Sequence, residues 1–190
     1  MNKADSSTRG ANDALPDEVL MRRFRETADE AAFDEIILRY HRPALIIARD
    51  RLPKHSALAE DAVQEAFIRT VRNRDSFDCR KSFAAWFYTI LRNVCLDYCR
   101  KEMRREKQLQ EIAQQEEPAA NDSIAHRDMV AAILQTLAPT DREILIYRFI
   151  HGLTIREIAE QLGLSDEAVK KRAQRALKHL RTHEAAGGLD

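Results

Sequence analysis

A turn between two short helical patterns near the C-terminus is the feature that most constrains the fold. The first pattern covers residues 155–162, and the tripeptide Gly163-Leu164-Ser165 separates it from a second pattern over residues 166–181. Glycine adopts the left-handed backbone that ends many helices, and serine is a favoured cap for the start of the next helix. This order of signals predicts a helix-turn-helix.

The starts of other helices are marked in a similar way. Capping boxes, in which a Thr hydroxyl and a Glu carboxylate three residues later satisfy free backbone amides, are predicted at Thr27, Thr140 and Thr154. Single serines stand at three further predicted helix starts, Ser56, Ser82 and Ser123. Only five glycines and five prolines occur among 190 residues, which favours helices over a turn-rich sheet. The chain is therefore predicted to be all-α.

Composition divides the predicted helices into two small domains. A polar N-terminal tail, residues 1–16, precedes a helical domain over residues 17–106. Residues 107–122 are rich in Gln, Glu and Ala, which is the composition of a flexible acidic linker. The domain with the helix-turn-helix follows over residues 123–183, and residues 184–190 form a second tail.

Bulk composition argues against several classes of protein. The chain has 31 basic and 31 acidic residues, so its zero net charge is not that of a nonspecific polycation, although local charged patches remain open. It has no run of about 18 apolar residues, and its first residues lack the apolar core of a secretory signal. We therefore expect a cytoplasmic protein that is not inserted in a membrane.

Groups suited to catalysis or metal binding are few. The cysteines Cys79, Cys95 and Cys99 are too few for a disulfide framework, and the last two make half a metal site at best. His179 and His183 are four residues apart but have no third ligand nearby in the sequence. No nucleotide-binding glycine loop or nucleophile–base arrangement is visible. We therefore expect no catalytic residues, no metal and no cofactor.

The second helix of the predicted helix-turn-helix carries a basic face suited to DNA. Long cations on such a helix reach phosphates and guanine edges in the major groove. Glu167 is a candidate to accept a hydrogen bond from a cytosine amine, although it repels phosphate. The candidate contact residues are Ser165, Glu167, Ala168, Lys170, Lys171, Arg172 and Arg175. A helix-turn-helix is also a packing unit in proteins that never bind DNA, so spacing alone leaves that alternative open.

A second basic track lies on the long helix predicted from Phe83 to about residue 105. Cations beside aromatic faces suit unpaired bases, because stacking needs no particular base sequence. The track consists of Arg92, Arg100, Lys101, Arg104, Arg105 and Lys107. The helical spacing of Trp86 and Phe87 favours a place in the core, which makes the charges and Asn93 better candidates for contact than the rings.

The preceding helix presents a polar strip at spacings of three and four residues. Asp61, Gln64 and Glu65 lie on one side of it, where they could bind a partner or form a solvated face. An enzyme that uses Asp61 and Glu65 with a metal is a further hypothesis. It is weakened because no His or additional acid stands at ligand spacing.

Three motifs, in this order, resemble bacterial RNA polymerase sigma factors of the small extracytoplasmic-function (ECF) group. They are EDAVQEAF at 60–67, FAAWFYTILRNVCLDYCRKEMRR at 83–105 and GLTIREIAEQLGLSDEAVKKRAQRALKHLR at 152–181. The resemblance implies a monomer that binds the β′ and β subunits of core RNA polymerase and directs initiation at specific promoters. It implies that the −35 promoter element is bound as duplex and the −10 element is captured melted. It also implies inhibition by a separate anti-sigma protein.

The resemblance assigns roles to individual positions. It places core polymerase binding at Asp61, Gln64, Glu65 and Phe67. It places −10 recognition at Ser76, Phe77, Asp78, Lys81, Arg92, Asn93, Asp97, Arg100, Lys101 and Arg104, and −35 recognition on the final helix. The alternative is a stand-alone dimeric helix-turn-helix regulator that binds a palindrome, for which a second cationic track has no purpose.

Overall fold

The computed structural model describes residues 15–112, 134 and 136–187. These residues form seven α-helices and no strand, as the all-α prediction requires. The helices are α1 (Asp17–Thr27), α2 (Glu30–Arg51), α3 (Ala59–Arg72), α4 (Phe83–Ile112), α5 (Pro139–Leu145), α6 (Ile155–Leu162) and α7 (Asp166–Gly187). α4 continues into the segment predicted as linker. Most of the helix predicted from Ser123 to about Leu137 and the rest of that linker lie outside the described residues.

Three of the predicted helix caps are confirmed. Thr154 and Glu157 form a capping box, in which the Thr154 amide donates to the Glu157 carboxylate at 2.8 Å and the Glu157 amide donates to the Thr154 hydroxyl at 3.2 Å. The Ser82 and Ser165 hydroxyls each accept from the amide three residues later, at 3.3 and 3.2 Å. The starts of α4, α6 and α7 are therefore set by local hydrogen bonds.

Two other predicted caps are wrong. Asp29 caps α2 by accepting from the Ala32 amide at 3.2 Å. Thr27 is instead the last residue of α1, where its hydroxyl donates to the Arg23 carbonyl at 2.8 Å. Ser56 begins a short 3-10 turn ahead of α3 and makes no capping bond.

The capping box predicted at Thr140 is also wrong, for a different reason. A cap at Thr140 would start the helix at Asp141, but α5 begins two residues earlier, at Pro139, and proline is favoured at the first helical position. The Glu143 carboxylate faces away from the helix start and accepts from Arg51 at 2.6 Å and from the Tyr147 hydroxyl at 2.5 Å. The Glu143 carboxylate is therefore engaged in an ion pair with α2, and no side chain caps the start of α5.

Helices α1–α4 form the N-terminal bundle, whose core is rich in aromatic rings. Tyr40 is fully buried, and its ring centroid lies 5.2 Å from that of Phe83 and 5.1 Å from that of Phe87. Both contacts are edge-to-face, which is a favoured geometry for aromatic pairs. Pro43 is buried within α2, and the helix continues through it without restarting.

Helices α5–α7 form the C-terminal bundle. α5 continues into a π-helical turn, Ile146–Ile150, and the chain then turns at Gly152 with a positive φ of 66°. Gly163 ends α6 with a φ of 65°, as predicted. Ile158 and Val169 are fully buried between α6 and α7. The predicted helix-turn-helix is confirmed.

The two bundles pack against each other. α5 lies against α2, and α6 lies against α4. The buried apolar residues of both bundles belong to one contiguous cluster. None of the described helices is long and apolar enough to cross a lipid bilayer.

Candidate nucleic-acid interface

The first turns of α7 present most of the residues predicted to bind duplex DNA. The Ser165 hydroxyl caps the helix, Ala168 is half-buried, and Glu167, Lys170 and Lys171 are exposed. Lys171 forms an ion pair of 2.8 Å with Glu167 one turn earlier. Because both side chains are more than 70% exposed, the pair contributes little to stability and is free to exchange for phosphate contacts.

The two arginines of α7 are held by a buried carboxylate. Arg172 donates to one oxygen of Asp141 at 3.0 Å, and Arg175 donates to the other at 2.6 and 3.2 Å. Asp141 is 4% exposed. Arg172 therefore faces inward, unlike the outward position predicted for it, because it follows the buried Val169 by one helical turn. Arg175 remains largely exposed, although Asp141 holds its guanidinium in place.

Four of the six cations of the second basic track are open to solvent on α4, namely Arg100, Lys101, Arg104 and Arg105. The neighbouring Asn93 is exposed as well. The Lys101 ammonium lies 5.6 Å from the centre of the Tyr98 ring, within the range of a cation–π contact. This part of α4 is therefore a charged surface with an aromatic ring, which is a combination suited to unpaired bases.

Two other predicted residues of α4 have partners within the protein. Arg92 is half-buried and donates to the Gln161 carbonyl of α6 at 3.0 Å. Asp97 accepts from Arg69 of α3 at 2.9 Å and lies 4.0 Å from Arg100. Arg92 is thus covered by the C-terminal bundle in this arrangement, whereas Asp97 ties α3 to the exposed part of α4.

The loop between α3 and α4 is ordered by its own residues. Asp78 accepts two hydrogen bonds from the Arg80 guanidinium, at 2.9 and 3.0 Å, and these lower the pKa of Asp78 to about 2. Ser76 and Lys81 are exposed. Phe77 is only 2% exposed, so its ring supports the loop from the core and is not presented to a base.

A groove of about 680 Å³ between α2 and α3 collects part of the predicted polymerase-binding set. Asp61 and Gln64 stand exposed on its rim, and Phe67, 7% exposed, forms part of its apolar floor. Glu65 does not line the groove, since it accepts from Arg69 at 2.8 Å on the adjacent side of α3. A groove with an apolar floor and a polar rim that carries both Asp61 and Arg72 suits an amphipathic helix.

The described residues contain no group of three or more His, Cys, Asp or Glu side chains placed to hold a metal ion. Cys95 is buried, and desolvation raises the pKa of its thiol to about 11. It is therefore a neutral core residue at ordinary pH.

Four residues that organise these surfaces were not predicted, namely Asp141, Glu143, His151 and Gln161. Glu143 was assigned to a local cap, and the others carried no signal of their own. Their partners lie 31 to 92 residues away in the sequence, so spacing along one helix could not have found them.

Sequence comparison matches two parts of the chain to known families. Residues 36–105 match Sigma-70 region 2, and residues 127–180 match Sigma-70, region 4. The RNA polymerase sigma factor CarQ of Myxococcus xanthus is 30% identical over 177 residues, which cover 90% of this chain and 97% of the relative. The ECF RNA polymerase sigma factor RpoE of Cereibacter sphaeroides is 31% identical over 168 residues, which cover 86% and 92%.

Two solved structures are similar across most of the chain. CnrH, solved in complex with the cytosolic domain of CnrY, aligns with a TM-score of 0.51 and 25% identity over 90% of this chain and 98% of its own. RpoE of Bartonella quintana, solved in complex with the anti-sigma factor NepR, aligns with a TM-score of 0.51 and 25% identity over 79% and 94%. Alignments of this extent include residues from both bundles.

Proposed function

This chain belongs to the ECF group of sigma-70 family RNA polymerase sigma factors, and we propose that its two bundles divide promoter recognition between them. As a sigma factor it binds core RNA polymerase and directs transcription from specific promoters. In our proposal the functional domains are residues 17–106 and 123–183, joined by the linker 107–122. The observation that supports this division is the presence of a separate exposed basic surface on each bundle.

We assign −35 recognition to the start of α7. Ser165, Glu167, Lys170 and Lys171 are exposed there and Ala168 is half-buried beside them, at the place where a helix inserted in the major groove meets base edges and phosphates. Arg175 would contact phosphate, with its guanidinium oriented by Asp141. Arg172 acts less directly, because its half-buried guanidinium helps to fix α7 on α5.

We assign −10 capture to α4 and the loop before it. Asn93, Arg100, Lys101 and Arg104 would follow the melted strand, and Ser76, Asp78 and Lys81 would line the site for an unpaired base. Phe77 supports that loop from beneath, and Asp97 holds α4 against Arg69. Arg92 would join the DNA surface once its contact with Gln161 is released.

We assign core polymerase binding to the α2–α3 groove. Asp61 and Gln64 on the rim and Phe67 in the floor would contact the β′ coiled coil, with Glu65 at the edge. An anti-sigma protein is a further expected partner, because relatives with this fold are solved in complexes with CnrY and with the anti-sigma factor NepR.

The proposal is tested by reconstitution. The purified protein is mixed with sigma-free core RNA polymerase, separated by gel filtration, and used for transcription of genomic fragments. We expect co-elution and transcripts with defined start sites. Failure to co-elute, together with tight binding of a palindrome by a dimer alone, would replace this proposal with the stand-alone regulator.

A further inference from the structure

The loop that precedes α4 is the part of the molecule to which the proposed function assigns an unpaired base. We call residues 78–82 of this loop the capture loop. Asp78 and Lys81, two of the residues assigned to the base, lie within it. The contact between Asp78 and Arg80 orders the middle of the capture loop, but it does not fix where the loop lies on the bundle.

Helix α1 holds both ends of the capture loop. At the first end, the Arg25 guanidinium donates to the Phe77 carbonyl at 3.1 Å. At the second end, the Phe83 amide donates to the Glu18 carboxylate at 2.9 Å. The bonded residues are 52 and 65 positions apart in the sequence, so both contacts belong to the tertiary structure.

The geometry of α1 matches the two ends of the loop. Glu18 and Arg25 are seven residues apart, which places them on the same face of the helix, two turns and about 10.5 Å from each other. Leu20 and Met21 are fully buried and fix α1 on the bundle. The helix is therefore a rigid frame whose length sets the distance between the two attachment points.

The contact at Glu18 decides where α4 starts in space. The Phe83 amide is one of the first amides of α4, which have no partner within the helix. Ser82 caps the same helix start through the Ala85 amide, and that local bond sets where α4 begins along the chain. The Glu18 carboxylate adds a charge-assisted bond at the positive end of the helix dipole, and this bond sets the position of the helix start relative to α1.

The contact at Arg25 is supported by an aromatic ring. The Arg74 guanidinium, in the turn just before the capture loop, lies 5.7 Å from the centre of the Phe24 ring of α1, within the range of a cation–π contact. The Arg25 side chain is 27% exposed and also pairs with Glu26 at 3.1 Å. Its guanidinium therefore has two partners within the protein and is not presented to a phosphate.

Selection of one base requires a site of fixed shape. Hydrogen-bond donors and acceptors discriminate between base edges only when they are held within about 0.5 Å of the productive position. Residues 78–82 belong to no helix or strand that would hold them there. The two contacts with α1 supply that restraint from outside the loop.

We propose that Glu18 and Arg25 are positioning residues for −10 recognition, which hold the capture loop in the shape that selects one unpaired base. This inference rests on the proposed function. Both residues precede the segment that matches Sigma-70 region 2, residues 36–105. They act through the loop and do not themselves contact DNA.

Five substitutions separate positioning from other roles. Glu18→Ala and Arg25→Ala each remove one attachment, whereas Glu18→Gln and Arg25→Lys keep an atom that can accept or donate the same bond. The matched control is Arg23→Ala, which removes the same charge as Arg25→Ala. Arg23 is exposed and lies two residues from Arg25, on the opposite side of α1.

The measured quantity is the preference among bases of the complex with core polymerase. Fluorescent single-stranded DNA carries the non-template −10 sequence of a promoter found by the reconstitution above, with each of the four bases in turn at every position. We expect each Ala variant to lower the preference at one position by about fivefold, as for one lost hydrogen bond. The Gln and Lys variants should keep most of the preference, and Arg23→Ala should keep all of it.

Controls distinguish this role from a loss of folding or of a phosphate contact. Co-elution with core polymerase, −35 affinity and the salt dependence of single-strand binding should be unchanged in both Ala variants. If circular dichroism shows that one Ala variant does not fold, the other still tests the proposal. An unchanged preference would overturn the proposal, and so would an equal loss for all four bases with a salt slope lower by about 0.7. A wild-type complex without preference at any position would instead overturn the proposed −10 capture.

Discussion

His151 of the C-terminal bundle stacks on Tyr40 of the N-terminal bundle with ring centroids 4.3 Å apart. The contact brings a titratable, partly buried group against the core of the other bundle, where it shares a hydrogen bond with Tyr88. Burial disfavours the charged imidazolium and lowers the pKa of His151 to about 4. Packing of the bundles is therefore coupled to the protonation of one side chain.

The packing of the two bundles against each other should weaken as the pH falls. When the bundles separate, the pKa of His151 returns to about 6.5, so the separated form binds a proton at a higher pH than the packed form does. The packed form is fully favoured above about pH 6.5 and loses up to about 3 kcal/mol as the pH falls toward 4. Titration of the His151 ring by NMR, with the radius of gyration measured in parallel, checks this.

The charged groups near His151 set the size of that effect. Asp17, Glu18 and Arg39 line the neighbouring cavity, and Asp17 raises the pKa of His151 in opposition to burial. His151→Phe keeps a ring at the position without a titratable nitrogen, so it should remove most of the pH dependence between 6.5 and 4. A wild-type His151 that titrates near pH 6.5 would show that the ring is not buried in solution.

Asp141→Asn should weaken both folding and −35 binding. The carboxylate is buried and pairs with Arg172 and Arg175, so its neutralisation leaves two cations with poorer partners. We expect a loss of about 1–3 kcal/mol in the free energy of unfolding and lower affinity for a −35 duplex. Urea denaturation and fluorescence anisotropy measure the two quantities.

Combining substitutions at Asp141 and Arg175 provides the control for this prediction. If its effect on DNA passes through the arginines, then combining Asp141→Asn with Arg175→Ala should give less than the sum of the separate losses in affinity. Additive losses would mean that Asp141 supports folding alone. Co-elution with core polymerase should be unchanged, because the α2–α3 groove lies in the other bundle.

Polymerase binding and DNA binding should respond to different substitutions. Asp61→Ala with Gln64→Ala removes the exposed rim of the α2–α3 groove and should weaken co-elution with core polymerase. Lys170→Ala with Lys171→Ala removes two cations from α7 and should lower −35 affinity. Each lost phosphate contact should reduce the slope of log affinity against log salt by about 0.9.

Each pair of substitutions is the control for the other. Gel filtration with core polymerase and anisotropy with a −35 duplex are measured on both variants. The proposed division of labour is wrong if the two variants lose the same activity. It is also wrong if the lysine variant keeps the full salt dependence of the wild-type protein.

The predicted caps at Thr154 and Ser56, of which only the first forms, allow a comparison of stability. Thr154→Ala removes a hydroxyl that satisfies a helix amide, so it should lower the free energy of unfolding by about 1 kcal/mol. Ser56→Ala removes a hydroxyl that makes no capping bond and should change it by less than about 0.5 kcal/mol. Thermal denaturation of both variants checks this, and equal losses would contradict the assignment of the caps.

Most features that depend on residues close together in the sequence were predicted correctly. The caps at Ser82, Thr154 and Ser165 join atoms within three residues, and Gly163 needs no distant partner to adopt its backbone. The same holds for the helical periodicity of α4 and α7. The capping box predicted at Thr27 is also a local feature, but it does not form. Helix α1 extends to Thr27, and Asp29 caps α2 instead.

The family, the all-α fold and the helix-turn-helix were predicted from the motifs and their order along the chain, because these features follow from residue type and short spacing. Only the tertiary structure decided which of the matched residues are available. It buried Phe77, bound Arg172 and Arg175 to Asp141, and covered Arg92 with α6. Each of these outcomes depends on a partner from a different helix. The exposure and the charge partners of each side chain depend on the helices that pack against its own. The periodicity of a single helix contains no information about those neighbouring helices.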